Sequence, residues 1–248
     1  MANETTSTST RPLSTRLARG QREILEAQRL RFRVFGEELG ADLPHAALRV
    51  DRDRFDRHCD HLIVRDETSG RIVGTYRMLP GLRALAIGGF YCDTEFDTRC
   101  LQPLAPRIVE LGRACIAPEN RTGAVLAMLW AGLARYIKAT AASHLVGCAS
   151  VPVGEDRSGA VAICRRLLER SPSPPALRVT PHRPFSLDGE PAFPEPAMPP
   201  LLKGYLRMGA TVCGPPAWDP DFRTADLLLL LSVDEMNAHY AARFFRAA

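Results

Sequence analysis

The chain has 248 residues, 46% of them hydrophobic, and a formal net charge of +4, which suits a globular protein and argues against a nucleic-acid partner. Its seven cysteines are scattered without a CxxC pair, so we expect a reducing cytoplasm and neither a disulfide framework nor a metal site. No apolar run approaches the roughly 18–20 residues that a membrane span needs.

The N-terminal part of the sequence predicts a tail followed by a helix and a charged loop. Residues 1–18 are polar and rich in serine and threonine, so we predict a disordered tail there and a single domain over 19–248. Apolar residues at roughly helical spacing predict a helix over 20–41. A loop rich in aspartate follows at 49–61.

Strands and helices alternate through the middle of the sequence. Two β-rich runs around an ETSG turn predict a hairpin over 61–79. The elements predicted after it are a short helix near 98–104, a strand over 107–117, a helix over 122–141, a strand over 144–151 and a helix over 158–171. This alternation favours one α/β or α+β domain with a mixed sheet.

The last third of the chain begins with a proline-rich segment. Ten of the 20 prolines fall between residues 171 and 200, where we expect a long loop that is functional or mobile. Beyond it the sequence predicts a helix over 199–209 with a strand after it, a buried strand over 224–235 and a closing helix over 234–246.

The strand predicted over 107–117 carries charge inside an apolar run. Glu110 and Arg113 are three residues apart, so a regular strand would point them to opposite faces. Gly112 permits a bulge, which would re-aim side chains and free backbone N–H groups. Buried charge is costly unless it is paired or used, so the strand is a candidate site, although an architectural ion pair fits equally.

Two further patterns are weaker indications of a site. The turn PENRTGAV places Gly123 at the start of the clearest helix, where free N–H groups bind anions and Arg121 would add charge. Asp53 and Asp56 form a D-x-x-D pair. Both patterns are also typical of ordinary helix starts and solvated loops.

Eight segments, in order from about residue 24 to 245, resemble the ornithine–acyl carrier protein N-acyltransferases, which make lyso-ornithine lipid. These segments are LRFRVFGEELGA, DRDRFDRHCDHL, GTYRMLPG, GGFYCDTEFD, RIVELGRACIAPENR, LWAGLARYI, LVGCASV and LLKGYLRMGA. The chain is more distantly similar to the acyl-homoserine lactone synthases, through Arg31 with Phe35, Asp53 with Asp56, Arg77, and Glu110 with Arg113. Both resemblances imply the GNAT fold, a splayed mixed sheet with flanking helices.

The sequence departs from these families in ways that bear on function. It lacks the tryptophan that the lactone synthases carry after the first helix, and it adds the proline-rich loop. The turn RTGAVL matches the GNAT phosphate-binding pattern poorly, which disfavours coenzyme A and suits a carrier-protein donor. No separate cofactor is expected, because 4'-phosphopantetheine would enter as part of the acyl carrier protein.

The resemblance implies transfer of a 3-hydroxyacyl chain from acyl carrier protein to the α-amine of ornithine. Glu110, directly or through water, is the implied base, and Tyr205 resembles the GNAT tyrosine that protonates the departing thiol. The implied substrate-binding residues are Arg31, Phe35, Asp53, Asp56, Arg77 and Arg113. Of these, Arg77 or Arg113 would hold the acceptor's carboxylate, and Asp53 or Asp56 an ammonium.

The donor is expected beside the same strand. Backbone N–H groups near Cys115 and Ile116 would polarise the thioester carbonyl, and Arg121 would face the donor. The arginines expected to meet the acidic carrier protein are Arg29, Arg31, Arg33 and Arg121. The proline-rich loop would either cover the site or touch the inner face of the membrane, so we expect a cytoplasmic and peripherally membrane-associated protein.

Three alternatives remain open at the level of sequence. The chain could be an acyl-homoserine lactone synthase, which would need S-adenosylmethionine and release a lactone. It could acylate another amino acid within the same family. In a different functional class, it could be a non-catalytic GNAT-fold protein that binds a carrier protein.

Overall fold

A mixed β-sheet forms the centre of the computed structural model, which describes residues 12–121, 123–194 and 196–246. Its strands are β1 (Leu13–Leu17), β2 (Asp60–Asp66), β3 (Ile72–Pro80), β5 (Ile108–Ile116), β6 (His144–Pro152), β8 (Thr211–Val212), β9 (Ala217–Asp219) and β10 (Thr224–Ser232). Over the described residues they follow the order β1-β2-β3-β5-β6-β10-β8, with β9 beside β10. The remaining pair, β4 (Phe96–Asp97) and β7 (Thr180–Pro181), forms a small separate sheet.

Helices and loops cover both faces of the sheet. The α-helices are α1 (Gly20–Arg31), α2 (Gly81–Ala86), α3 (Gly123–Thr140), α4 (Ser158–Arg170), α5 (Pro200–Met208) and α6 (Ala238–Arg246). On one face α1 and α3 contribute Ala27 and Leu133 to the larger core; on the other, Phe96 packs with Leu228. Among the described residues, no helix has both the length and the apolar character needed to cross a bilayer.

Most of the predicted elements are confirmed with small shifts at their ends. The predicted hairpin is β2 and β3, and the strands predicted over 107–117 and 144–151 are β5 and β6. The strand predicted over 224–235 is β10, which is buried along both faces and ends at Ser232. The later helices are α3 to α6; Thr122, the predicted first residue of α3, lies outside the described residues. The short helix near 98–104 is a 3₁₀ helix over Arg99–Arg107.

The prediction of a disordered tail over 1–18 is wrong for its last part. Leu13–Leu17 pairs antiparallel with Leu62–Asp66 as an edge strand of the main sheet. Its backbone groups are satisfied by β2, a partner about fifty residues away, and local composition does not reveal such a partner. The rest of the predicted tail, residues 1–11, lies outside the described part of the chain.

The first helix also differs from its prediction over 20–41. It is α-helical only to Arg31 and continues as a π-helix over Phe32–Glu38. Wider π turns are rare and occur frequently at functional sites. This one brings Phe35 to the wall of a cavity in the sheet.

The proline-rich segment is partly ordered against the sheet. After a 3₁₀ turn at Pro175–Leu177, β7 pairs with β4, and the backbone N–H of His182 donates to the carbonyl of Glu95 at 2.8 Å. Phe185 is buried, whereas Phe193 is 99% exposed. The first half of the segment therefore fastens the loop that carries β4.

The central sheet splits between β5 and β6. These parallel strands pair only at Ile108–Glu110 with His144–Val146. Beyond that point β5 stays paired with β3, while β6 stays paired with β10, so the sheet divides into two arms. Gly147 lies at the apex, where a Cβ would stand 2.4 Å from the carbonyl oxygen of Leu111. Only a glycine lets the two backbones approach this closely.

We expect Gly147→Ala to destabilise the protein by about 1–3 kcal/mol, because the added methyl group collides with backbone that cannot move aside freely. Urea unfolding would measure the change. Gly112→Ala is the matched control on the facing strand, since its nearest neighbour is the Arg77 guanidinium at 4.0 Å. Equal stability of the two variants would contradict a steric role for Gly147.

Candidate active site

A cavity of about 280 Å³ occupies the split in the sheet. Its walls include Leu111–Ala114 on β5 and Gly147–Ser150 on β6, with Phe35 and Tyr205 contributed by helical segments. Because β5 has no partner on its β6 side beyond Glu110, alternate backbone N–H groups on that side lack a strand partner. The split therefore offers hydrogen-bond donors to an extended ligand.

A bulge in β5 shapes the polar part of this cavity. Arg77 pairs with Gly112 and Thr75 pairs with Cys115, so two residues of β5 oppose one residue of β3 between these pairs. The residue with left-handed backbone is Arg113, whose φ is 50°, and not Gly112. The predicted bulge is thus confirmed, but a non-glycine residue carries its unusual backbone angle.

The bulge overturns the prediction that Glu110 and Arg113 point to opposite faces. In a regular strand, the side chains of residues three apart point to opposite faces. The extra residue in the bulge shifts this alternation, so that Arg113 points to the same side as Glu110. Both side chains accordingly contact Tyr91, whose backbone N–H donates to Glu110 and whose ring lies 4.8 Å from the Arg113 guanidinium. The charged pair in the apolar run is brought together by backbone geometry.

Three arginines and three aspartates form a buried network beside the cavity. Arg31 is fully buried and contacts Asp51 at 2.9 Å and Asp56 at 2.8 Å. The other contacts are Arg77 to Asp53 at 2.6 Å, Arg77 to Asp56 at 3.1 Å, Arg113 to Asp51 at 3.3 Å and Arg113 to Asp53 at 3.8 Å. With three charges of each sign, the network is electrically balanced.

This network corrects several predicted roles. Asp53 and Asp56 already contact arginines, so a substrate ammonium would have to compete with those arginines for them, and their predicted role stays a prediction. Burial disfavours the charged form of Asp56, but Arg31 and Arg77 outweigh it and hold the pKa of this carboxyl well below its usual range. Arg31 does not line the cavity, so its predicted contact with substrate is replaced by a role in supporting the network.

Arg113 lines the cavity and keeps a hydrogen-bond donor that no described residue accepts. Its guanidinium lies between two rings, 4.8 Å from the centroid of Tyr91 and 4.7 Å from that of Phe222. Its buried Nε makes no hydrogen bond with a described residue, although Asp51 lies close. Stacking on both sides fixes the guanidinium plane and leaves donors for an anionic group.

Glu110 lies at the last residue pair before the split. Its carboxylate accepts the backbone N–H groups of Tyr91 and Cys92, each at 2.7 Å. Burial raises the pKa of Glu110, and these two hydrogen bonds oppose that rise. The carboxylate therefore orders the turn at 90–92 and keeps further lone pairs for a proton donor.

A second group of acids lies on the other arm and was missed by the sequence analysis. The ligand atoms of Glu95, Cys148 and Asp226 all lie within 4.8 Å of one another, close enough to hold a metal ion. Asp226 lines the cavity and is 4% exposed. Its signal in the sequence is an acid at the start of the most apolar strand, in TADLLLLL.

Of the residues predicted to face the donor, some line the cavity and others do not. Tyr205 lines the cavity, its ring packs on Trp130 with centroids 5.3 Å apart, and its buried hydroxyl has no hydrogen-bond partner among the described residues. Cys115 and Ile116 do not line the cavity, which is reached by the four residues before them. Their predicted roles stay predictions.

The arginines predicted to meet a carrier protein are largely engaged within the chain. Arg121 makes a two-fold ion pair with Glu38, with both contacts at 2.6 Å, and Arg33 contacts Glu119 at 3.0 Å. Arg31 is fully buried, so it cannot meet a partner. Fewer of these arginines are therefore available to an acidic partner than the sequence indicates.

Comparison with known proteins places this geometry in a family. Residues 30–131 match the Acetyltransferase (GNAT) domain. The chain is 38% identical over 248 residues to the L-ornithine N(alpha)-acyltransferase of Agrobacterium fabrum, with 94% of this chain and 85% of that protein covered. It is also 38% identical over 247 residues to the protein of that name from Rhodobacter capsulatus, covering 93% and 94%.

Solved structures with the same fold are more distant in sequence. FeeM, an N-acyl amino acid synthase from uncultured soil microbes, superposes with a TM-score of 0.56 at 12% identity, covering 92% of this chain and 94% of that one. The acyl-homoserine lactone synthase LasI superposes with a TM-score of 0.53 at 14% identity, covering 95% of each chain. The predicted GNAT-like fold is confirmed.

We expect Arg31→Met to reduce the free energy of unfolding by about 3–5 kcal/mol, because it leaves Asp51 and Asp56 buried without their closest cation. Arg33→Met, two residues away on the surface, should cost less than about 1 kcal/mol. Urea unfolding of both variants at neutral pH would measure the difference. Similar losses for both would show that the buried network does not stabilise the fold.

Proposed function

Because the chain belongs to the L-ornithine N(alpha)-acyltransferase family, we propose that it transfers a 3-hydroxyacyl chain from acyl carrier protein to the α-amine of ornithine, giving lyso-ornithine lipid. The observation that carries this proposal is the split sheet, whose cavity has unpaired backbone donors on one wall and an arginine presented at its polar end. The backbone donors suit the carbonyl of a thioester, and the arginine suits the carboxylate of an amino acid.

The donor would enter the split as an extended chain. The acyl-pantetheine arm would run beside β5, with the thioester carbonyl facing N–H groups that β6 has left unpaired. Fixed donors aimed at the developing oxyanion stabilise it more than water does. This arrangement would act on the carbonyl carbon and does not require a metal or a nucleophilic side chain.

The acceptor's carboxylate would bind to Arg113. This guanidinium is held between Tyr91 and Phe222 and keeps donors free on the cavity side, whereas Arg77 is 4% exposed and already contacts two aspartates. A fixed, planar guanidinium suits recognition of a carboxylate.

Proton transfers would complete the reaction. The α-ammonium loses a proton to Glu110, directly or through a water, and its nitrogen then forms a bond to the carbonyl carbon. Collapse of the tetrahedral intermediate breaks the carbon–sulfur bond, and the Tyr205 hydroxyl gives its proton to the departing thiolate. The nitrogen releases its second proton as the amide forms, and this proton returns to the Tyr205 phenolate through water, while Glu110 passes the first proton to solvent. The products are the N-acylated amino acid and the free thiol of the carrier protein.

Two alternative functions make different products or none. A lactone synthase would consume S-adenosylmethionine, and solved lactone synthases share this fold. A non-catalytic binder would hold the carrier protein without turnover. The 38% identity to the ornithine acyltransferases over most of the chain favours ornithine N-acylation over both of these alternatives.

Mass spectrometry of the reaction products tests the proposal directly. Purified protein would be incubated with 3-hydroxyacyl carrier protein, L-ornithine and S-adenosylmethionine, and we expect N-acylornithine together with free carrier-protein thiol. The same acyl chain on coenzyme A serves as the donor control. A lactone product would assign the chain to the signal synthases, and carrier binding without any product would support the non-catalytic reading.

Replacing Tyr205 tests the proposed acid. We expect Tyr205→Phe to lower kcat by about 100-fold or more, the usual contribution of a general acid, with an unchanged melting temperature because the hydroxyl has no protein partner to lose. Tyr240→Phe, on α6, is the matched control and should retain full turnover. Undiminished turnover by Tyr205→Phe would remove this residue from the mechanism.

A further inference from the structure

We propose that Asp226, with Glu95 directly behind it, binds the side-chain ammonium of the acceptor and thereby makes the enzyme select a diamino acid. The inference rests on the proposed function, since it concerns the same cavity and the same acceptor. It assigns a role to two carboxylates that the N-acyl transfer itself does not use.

The first argument is the contrast between the two arms of the sheet. On the β3–β5 arm every aspartate of the buried network is matched by an arginine, as the contacts of Asp53 and Asp56 show. Beside the β6–β10 arm, neither Asp226 on β10 nor Glu95 in the loop before β4 has an ion-pair partner within 4.0 Å among the described residues. Arg113 acts on both carboxyl groups from a distance, but neither of them makes the direct ion pair that each aspartate of the network makes.

The second argument is the state of the Glu95 carboxylate. Both of its oxygens are buried and receive no hydrogen bond from an N–H or O–H group in the described part of the chain, and the Cys148 thiol acts on them only as a weak donor. A buried carboxylate without donors is unfavourable unless a proton or a cation compensates it. An ammonium ion supplies both positive charge and three donors.

The position of the pair within the fold suits a side-chain nitrogen. Val146 is the residue opposite Glu110 at the apex, and Cys148 follows two residues later on the same face, about 7 Å along the strand. Asp226 lies on the adjacent strand opposite Ser150, whose hydroxyl donates to it at 3.2 Å. With its α-amine at Glu110, ornithine would have to extend its three methylene groups along this wall.

The two acids are held in place from separate parts of the chain. The Thr224 hydroxyl donates to the second oxygen of Asp226 at 2.6 Å. The loop that carries Glu95 is fastened by the proline-rich segment, because the His182 N–H donates to the Glu95 carbonyl at 2.8 Å. Hydrogen bonds from two separate segments therefore hold the two carboxyl groups in place.

The protonation behaviour of the pair agrees with this role. Burial, together with the neighbouring Asp226 and Asp219, raises the pKa of Glu95 to about 9, although the Cys148 thiol and Arg113 oppose the rise. Burial also raises the pKa of Asp226. In the free protein the pair is thus prone to retain a proton, which an arriving ammonium would replace.

Acceptor selectivity is the decisive measurement. The values of kcat/KM for L-ornithine and for L-norvaline, which has the same carbon chain without the side-chain nitrogen, would be compared in wild type, Asp226→Asn and Glu95→Gln. We expect both variants to lose about 10- to 100-fold with ornithine, the usual effect of losing a hydrogen bond to a charged group. Activity with norvaline should change by less than about threefold, which also shows that the variants are folded.

Glu169→Gln, on the exposed face of α4, is the matched control and should leave both values unchanged. If the variants keep the wild-type ratio of ornithine to norvaline, or lose both activities equally, the proposed subsite is wrong while the proposed function stands. If wild type acylates no ornithine, the proposed function itself fails. Stoichiometric binding of Zn²⁺ or Mn²⁺ by wild type, abolished in both variants, would assign the pair to a metal and overturn the subsite.

Discussion

The separation of β5 from β6 after three residue pairs is the constraint on which the rest of the structure depends. A parallel pair normally continues for the length of its strands, because every unpaired backbone group must find another partner. Here Gly147 allows a close approach at the apex, and each strand then keeps only its outer neighbour. The result is a row of β5 N–H groups without a strand partner on the β6 side, and the proposed reaction would use these groups to bind the thioester.

Burying the arginine–aspartate network is tolerable because its charges balance. Three arginines inside a domain would be strongly unfavourable singly, but each finds a carboxylate within about 3.3 Å. The network joins α1, the loop before β2, and the strands β3 and β5. It supports the bulge that turns Arg113 into the cavity, so electrostatic balance and backbone geometry depend on each other.

The cavity has opposite charge character on its two arms. Arg113 presents positive charge on one side, while Asp226 presents a carboxyl group on the other, with Glu95 close behind it. An amino acid with a second amine carries matching charges at both ends. The proline-rich segment contributes to this polarity, because its ordered half fastens the loop bearing Glu95.

The sequence by itself determined the elements and the chemistry-bearing strand. Apolar periodicity located the hairpin, β5, α3 and β10, and the Glu110–Arg113 motif marked the site, because these signals depend on neighbours only a few residues apart. Tertiary structure alone decided that Leu13–Leu17 forms an edge strand and that Arg113 turns to the side of Glu110. It also decided that Asp53 and Asp56 pair with arginines while Asp226 makes no ion pair within the described part of the chain, because ion pairing depends on residues far apart in sequence that only the folded chain brings together.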